Sequence, residues 1–189
     1  MLQEISVSLV GVAPLIMHNG QTCDPMNKFA RAIKEISGKR KKTDEDYAEM
    51  GRLEWIAGLY VNEEGKLIIP ADVLDSALVE GAKKSKLGKQ FKSAVFIPYD
   101  ALLDIGKKSY SVDKLWEDEN FRDVRGVRVG QARIMRTRPI FRQWSCTFAI
   151  QFDDEQVNEA DVRRALHDCG VQVGICDYRP KYGRFEVKE

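Results

Sequence analysis

Histidine and closely spaced cysteines are scarce in this chain. Of its 189 residues, two are histidines and four are cysteines, and no two cysteines form a Cys-x-x-Cys pair. Zinc sites usually take their ligands from such pairs, so we predict no metal site, no disulfide and no cofactor. Cys146 and Cys169 are predicted to lie in the core.

Long apolar runs are missing too, and so are the Walker loop, the G-x-G-x-x-G sequence and the nucleophile elbow. No stretch approaches the roughly 18 apolar residues of a membrane span. The opening, MLQEISVSLVGV, alternates like a strand and lacks the basic start of a signal peptide. The composition, with 43% hydrophobic and 31% charged residues, is typical of a globular protein. We expect a cytoplasmic protein, a single domain over residues 1–189 and no contact with a membrane.

Acidic and basic residues nearly balance, with a net charge of +1, but they are unevenly distributed. Residues 122–142 contain seven arginines and one acidic residue, and residues 83–92 contain five lysines and no acidic residue. Acidic residues are concentrated at 43–54, 113–123 and 153–161. Such segregation often marks a surface for a polyanion. The alternative is that these residues form ordinary solvated faces of helices and loops.

The hydrophobic periodicity predicts six core elements. They are a strand at 3–10, a helix at 70–84, two strands at 127–141 and 144–152 joined as a hairpin, a helix at 158–169 and a strand at 183–188. This order is the ferredoxin-like βαββαβ plan, an α+β fold in which two helices cover one face of an antiparallel sheet. Two insertions are predicted, a helical one at about 18–60 and an irregular one with short strands at about 93–125.

Three stretches carry a resemblance to a known family. The first strand leads into a large insertion, IPADVLDSALVEGAKKS occupies 69–85, and VGICDYRPKYGRFEV occupies 173–187. In these stretches the chain resembles the RAMP superfamily, the ferredoxin-like proteins that form the backbone and processing subunits of CRISPR effector complexes. The resemblance implies a subunit that lines up with its own copies along a bound strand. The chain is also similar to small proteins of phage and prophage genomes, which implies a viral origin.

The C-terminal segment 173–187 combines the residue types that bind a nucleic-acid backbone. Cations contact phosphates, aromatic rings stack on bases, and glycines let backbone N–H groups approach a phosphate. The candidate residues are Gly174, Tyr178, Arg179, Lys181, Tyr182, Gly183 and Arg184. The alternative is a tight turn whose tyrosines cover the core and whose arginines pair with acidic residues.

Two other segments supply candidate cations. They are Arg128, Arg133, Arg136 and Arg138 in the strand predicted at 127–141, and Lys83, Lys84 and Lys86 at the end of the first core helix. Because 127–141 and 183–188 are predicted to be strands of one sheet, we expect the arginines and the C-terminal segment to converge on one groove. The alternative for the arginines is an edge strand whose charges discourage aggregation.

These candidates predict a non-enzymatic protein that binds single-stranded RNA or DNA with little dependence on sequence and associates with its own copies. Two other functions stay open. Some processing members of the RAMP superfamily keep a histidine general base after the first strand, so the resemblance implies a metal-independent endoribonuclease with His18 in that role. A phage protein that docks a host or phage protein through its segregated charges also fits the sequence.

Overall fold

The computed structural model describes residues 1–107 and 109–188. In chain order its strands and helices are β1 (Leu2–Gly11), β2 (Leu15–Ile16), α1 (Lys28–Ser37), α2 (Asp44–Gly58), β3 (Ile68–Ile69), α3 (Ala71–Lys83), α4 (Gly88–Ala94), β4 (Val95–Phe96), β5 (Ala101–Asp104), α5 (Val112–Glu117), β6 (Arg122–Val129), β7 (Ala132–Phe141), β8 (Ser145–Asp153), α6 (Glu159–Asp168) and β9 (Phe185–Lys188). Shorter helical turns cover Gly20–Cys23, Glu119–Phe121 and Cys169–Val173. None of the described helices has the length and apolar character needed to cross a membrane.

The elements form two units. The first unit contains Met1–Leu15, Val61–Lys108 and Phe141–Glu189, and the second contains Ile16–Tyr60 and Ser109–Ile140.

The first unit contains a six-stranded antiparallel sheet. Its strand order is β3-β5-β8-β1-β9, and β4 also pairs with β8. Successive side chains in a strand point to opposite faces, so Val7 and Leu9 of β1, two residues apart, share one face. Both are buried in the core. On the other face Ser8 Oγ and Thr147 Oγ1 are 2.8 Å apart across the β1–β8 pair.

Helices α3 and α6 pack against each other in the first unit. The buried residues of α3 have the spacing of one helical face and are Leu74, Ala77, Leu78, Gly81 and Ala82. Asn158 caps α6, because its Oδ1 accepts the Asp161 N–H at 2.9 Å. Gly81 allows the two helices to approach closely, since a Cβ at this position would overlap the Ala165 carbonyl oxygen.

The predicted ferredoxin-like plan is confirmed, but one of its strands is not the one predicted. The elements β1, α3, β5, β8, α6 and β9 follow the βαββαβ order in a single antiparallel sheet. The second strand of the plan is β5 and not the segment 127–141. That segment belongs to β6 and β7, which form a separate three-stranded sheet with β2. Alternating hydrophobicity identifies a strand but not its partner, and this is the cause of the error.

The predicted hairpin of 127–141 with 144–152 is wrong for the same reason. The hairpin is formed by β6 and β7, and its turn lies at Gly130 and Gln131 because Val129 pairs with Ala132. Gly130 has a φ of +60°, which two-residue hairpin turns commonly need. The segment 93–125, predicted as an irregular insertion with short strands, contains β4, β5, α5 and the start of β6.

In the second unit α2 is anchored by an aromatic cluster. Trp55 is fully buried, and its Nε1 donates a hydrogen bond to the Phe121 carbonyl oxygen at 2.7 Å. The ring centroids of Trp55 and Trp116 are 5.7 Å apart, and the Arg122 guanidinium lies 4.8 Å from the centre of the Trp116 ring. These contacts hold α5 and the first residue of β6 against α2.

Candidate nucleic-acid interface

The β6–β7 hairpin carries its arginines on two different faces. Arg128 is directly opposite Arg133, and Arg125 is directly opposite Arg136. Residues opposite each other share a face of the sheet, and the face changes from one residue to the next. Arg128 and Arg133 therefore lie on one face, and Arg136 and Arg138 lie on the other.

The face that carries Arg128 and Arg133 is open to solvent. We call it the hairpin face and define it by Val124, Gly126, Arg128, Arg133 and Met135. Both arginines are exposed, and so are Val124 (58%) and Met135 (62%). The two arginines line a shallow cleft of ≈ 260 Å³. This face offers two cations and two apolar side chains to a ligand.

The positions of these two arginines are set by the turn and by a glycine. Arg128 Nε donates a hydrogen bond to the Gly130 carbonyl oxygen at 3.1 Å. The Arg133 side chain lies over Gly126, because a Cβ added there would be 3.4 Å from the Arg133 Nε, an ordinary van der Waals contact.

The base of the hairpin is held by Glu54 of α2. Its carboxylate accepts hydrogen bonds from the Arg136 guanidinium and from the Thr137 N–H, the latter at 3.0 Å. The Glu54 side chain is only 11% exposed. A buried carboxylate that loses its cation is costly, so Arg136 stabilises the fold at this point. Arg136 thus lies on the other face from Arg128 and Arg133 and is paired with Glu54, and Arg138, on the same face as Arg136, is half-buried. Their roles in binding stay predictions.

The C-terminal segment is a loop that packs on itself. The Ile175 N–H donates to the Gly183 carbonyl oxygen at 2.9 Å, and the Gly183 N–H donates to the Pro14 carbonyl oxygen at 2.9 Å. The Gly174 N–H donates to the Cys169 carbonyl oxygen at 2.7 Å. Both glycine N–H groups are therefore satisfied within the protein. This corrects their predicted role as donors to phosphate: the glycines serve the close packing of the loop.

The side chains of the loop differ in what they offer to a ligand. Tyr178 and Tyr182 are half-buried and contact each other edge to face, with ring centroids 6.2 Å apart. Arg184 Nε donates to the Pro180 carbonyl oxygen at 2.6 Å. The exposed cations of the loop are Arg179 and Lys181. The loop thus presents cations on a framework that its other residues build.

The thiols of the cysteines in the first unit are protonated at neutral pH. Burial raises the pKa of the Cys146, Cys169 and Cys176 thiols to about 12 in each case. A thiol must ionise to act as a nucleophile or metal ligand. The prediction that Cys146 and Cys169 lie in the core is confirmed.

The lysines at the end of α3 lie in the same unit as the loop, and the two segments approach each other at Glu80. Lys83 forms an ion pair with Glu80 and is the main cause of the lowered pKa of that carboxyl, which the charges of Arg179 and Lys92 lower further. Lys84 and Lys86 are exposed. We call the cations of the two segments the loop–lysine surface, defined by Lys83, Lys84, Lys86, Arg179 and Lys181.

The premise for the expected convergence of the arginine strand and the C-terminal segment is wrong. It required β7 and β9 to share a sheet, whereas β7 pairs with β6 and β2, and β9 pairs with β1. The hairpin face belongs to the second unit and the loop–lysine surface to the first.

His18 is exposed and follows β2 in the second unit. Its carbonyl oxygen accepts a hydrogen bond from the Tyr60 hydroxyl at 3.1 Å. Within residues 1–107 and 109–188 no group of three His, Cys, Asp or Glu side chains could hold a metal ion. The role of His18 as a general base stays a prediction.

The sequence analysis did not predict the role of Glu54, which binds residues at the base of the hairpin but none at its tip. The signal was present in the stretch LEWIAG, where one carboxylate stands between apolar residues near the end of a helix. A carboxylate in such a position is usually half-buried and needs a cation or N–H donors.

Comparison with known proteins supports the fold. No protein-family model matches the chain, and no curated protein sequence matches it. Among solved structures, all of this chain superimposes on part of a chain in the cryo-EM structure of the type III-B Cmr-beta bound to cognate target RNA, with a TM-score of 0.55 and 13% sequence identity. It shares that fold. The chain spans 59% of the length of the Cmr-beta chain.

A second solved structure, Cmr6 from Pyrococcus furiosus, has 13% identity over 98% of both chains, but its TM-score of 0.39 is too low to indicate a shared fold. At 13% identity the likeness to the Cmr-beta chain shows the fold alone. It supports the α+β fold that the order of the predicted elements indicated.

Proposed function

We propose that this chain binds single-stranded nucleic acid, with RNA as the first ligand, through phosphate contacts that depend little on sequence. The observation that carries the proposal is the hairpin face. Its cross-strand pairs at 124–137, 126–135 and 128–133 include two exposed arginines and no acidic residue. Two guanidinium groups opposite each other on an open face suit the successive phosphates of one strand.

The same face also suits the bases of that strand. Unstacked bases need an apolar or flat surface to cover them. Val124 and Met135 are exposed beside the arginines, and a guanidinium plane can itself stack on a base. A strand that crosses the hairpin face can therefore place phosphates on Arg128 and Arg133 and bases on the apolar side chains of Met135 and Val124, which lie further from the turn.

The loop–lysine surface supplies further phosphate contacts in this proposal. Its exposed members are Lys83, Lys84, Lys86, Arg179 and Lys181. Lys83 is already paired with Glu80, so its contribution is smaller than that of an unpaired cation. We expect the loop–lysine surface to add affinity and the hairpin face to provide most of it.

Two likenesses support RNA and self-association as the first properties to test. The Cmr-beta structure that shares the fold contains cognate target RNA. The resemblance to the RAMP superfamily supports copies that lie side by side along a strand. DNA as a ligand and a phage origin stay predictions.

Titration with fluorescent single-stranded RNA and DNA of equal length tests the proposal. Anisotropy gives the affinity at low and moderate salt, and sedimentation velocity shows whether complexes grow by addition of copies. We expect salt-sensitive binding, since contacts to phosphates release counterions. Binding that does not weaken with salt would contradict a phosphate-based interface.

Charge reversal at the hairpin face locates the site. We expect R128E/R133E to lower the affinity for RNA at least about tenfold, because it replaces two phosphate-binding cations with carboxylates. The matched control is R142E/R164E, which reverses two exposed arginines outside the hairpin face and should keep most of the affinity. Equal losses in the two variants would remove the hairpin face from the site.

The same titration separates the alternative functions. Cleavage of the RNA that disappears in His18→Ala, with binding retained, would establish the endoribonuclease. A folded protein that binds neither RNA nor DNA would point to a protein partner instead.

A further inference from the structure

The first unit contains an open groove between α3 and α4, at the edge of the loop–lysine surface. Its volume is ≈ 360 Å³, and it is lined by α3, α4 and the first residue of β4. Phe91 and Val95 line the groove as buried residues, Val79 is its half-buried apolar side chain, and Asp75 and Ser76 supply polar groups. A small flat ligand with a polar edge fits such a groove, with one face against Val79 and its edge towards Asp75 and Ser76.

Asp75 is the acceptor in this groove. It is half-buried, and the Ile97 backbone N–H lowers the pKa of its carboxyl by less than burial raises it. Burial raises the pKa of this carboxyl to about 6, so it is ionised at neutral pH but poorly solvated. A poorly solvated carboxylate favours ligands that bring N–H donors.

Two lysines and two carboxylates line the same groove. Lys83 and Lys92 line it, and the charge of Arg179 reaches Glu80, which also lines it. Phosphates of a strand held by the loop–lysine surface would therefore lie beside the groove. A ligand that carries both a phosphate and a flat group with N–H donors is a nucleotide unit of such a strand.

We propose that the α3–α4 groove takes one unstacked base that carries an exocyclic amino group, with Asp75 as the acceptor of that group. This inference rests on the proposed binding of single-stranded nucleic acid and adds a base preference at one position. Cytosine, adenine and guanine carry such an amino group, and a carboxylate is the usual acceptor for the N4 amino group of cytosine. Uracil has a carbonyl oxygen at the same place, which the Asp75 carboxylate repels.

The test compares two RNA strands of equal length, one of uridines only and one of alternating cytidines and uridines. We expect the wild type to bind the cytidine-containing strand about tenfold more tightly, the usual scale for one hydrogen bond to a charged acceptor. In Asp75→Asn the difference should shrink to less than about twofold, because an amide meets a carbonyl and an amino group equally well.

A matched control distinguishes the loss of the Asp75 acceptor in the groove from the loss of a negative charge on α3. Asp72→Asn removes one negative charge a turn away on an exposed side chain outside the groove, and the preference for cytidine should persist. Circular dichroism and thermal unfolding establish that both variants are folded.

The outcomes distinguish this inference from the proposed function. Equal binding of both strands by the wild type, or an unchanged preference in Asp75→Asn, would overturn the groove as a base site while leaving phosphate binding intact. Absence of binding to either strand would overturn both.

Discussion

The β6–β7 hairpin and the C-terminal loop both combine a glycine in the left-handed region with basic residues, yet their glycines serve opposite purposes. Gly130 is at an open turn, and nothing lies within 4 Å of the position that a Cβ would take. Gly183 is buried, and a Cβ there would overlap the Ile175 carbonyl oxygen. The hairpin is thus an open frame that displays side chains, whereas the loop is a packed part of the fold with cations at its surface.

The same contrast exists within the hairpin. Arg133 and Arg136 are on the same strand, three residues apart, but only Arg136 has the Glu54 carboxylate beside it. What a basic residue does is therefore decided by the group that faces it and not by the density of charge in its segment.

The largest effect should come from the loop glycine. Gly183→Ala should lower the free energy of unfolding by more than about 4 kcal/mol or prevent folding, because the strain of a positive φ is added to an overlap with backbone. Gly130→Ala has the same left-handed strain without the overlap and should cost about 1 kcal/mol. Urea unfolding measures both. Equal costs would mean that the loop is as open as the hairpin turn.

The next largest effect on stability should come from the base of the hairpin, whereas the same kind of substitution at its tip should have little effect. Arg136→Glu places a second carboxylate beside the half-buried Glu54 and should lower the free energy of unfolding by about 3 kcal/mol, near the low end for a broken buried pair. Arg128→Glu, at the exposed tip, should change it by less than about 0.5 kcal/mol. The double variant E54Q/R136Q, which removes both charges, should recover part of the loss. If Arg136→Glu is as stable as Arg128→Glu, Glu54 is not what holds the base.

A smaller effect should come from Asp75. Burial raises the pKa of its carboxyl in the folded protein from 3.8 to about 6, a shift that the nearby Asp72 carboxylate increases and the Ile97 N–H opposes. Between these pKa values the folded protein binds more protons than the unfolded chain, so the free energy of unfolding falls as the pH rises.

Asp75→Asn removes that dependence. Above about pH 6 the wild type carries the full cost of the ionised carboxylate, so the variant should be more stable by about 1 kcal/mol, a value reduced for partial exposure. Below about pH 4 both states of the wild type are protonated and the difference should vanish. Thermal unfolding across this range measures it; a wild type whose stability rises with pH through the same window would show that the carboxyl is well solvated.

Local patterns predicted much of the fold, and long-range pairing was the part they could not supply. The alternation of β1, the apolar stripe of α3 and the Asn158 cap depend on residues near in sequence, and all three are present. The partner of β7 and the choice of β5 as the second strand depend on contacts between distant residues, which alternation does not encode.

The candidate site was predicted only in part, because the placement of its side chains also depends on contacts between distant residues. Residue type identified the arginines of the hairpin and the cations of the loop, but the face on which each arginine lies depends on the turn at Gly130 and Gln131. The groove at Asp75 was missed because its lining comes from α3, α4 and β4, and α4 was not predicted as a helix.

The salt dependence of RNA binding tests the role of the hairpin face most directly. The slope of log affinity against log salt should be measured for the wild type, for R128Q/R133Q and for the control R142Q/R164Q. Each phosphate neutralised on a single strand contributes about 0.7 to the slope, so the slope for R128Q/R133Q should be smaller than that of the wild type by about 1.4. The control should keep the wild-type slope. An unchanged slope in a folded R128Q/R133Q would contradict phosphate contacts at Arg128 and Arg133.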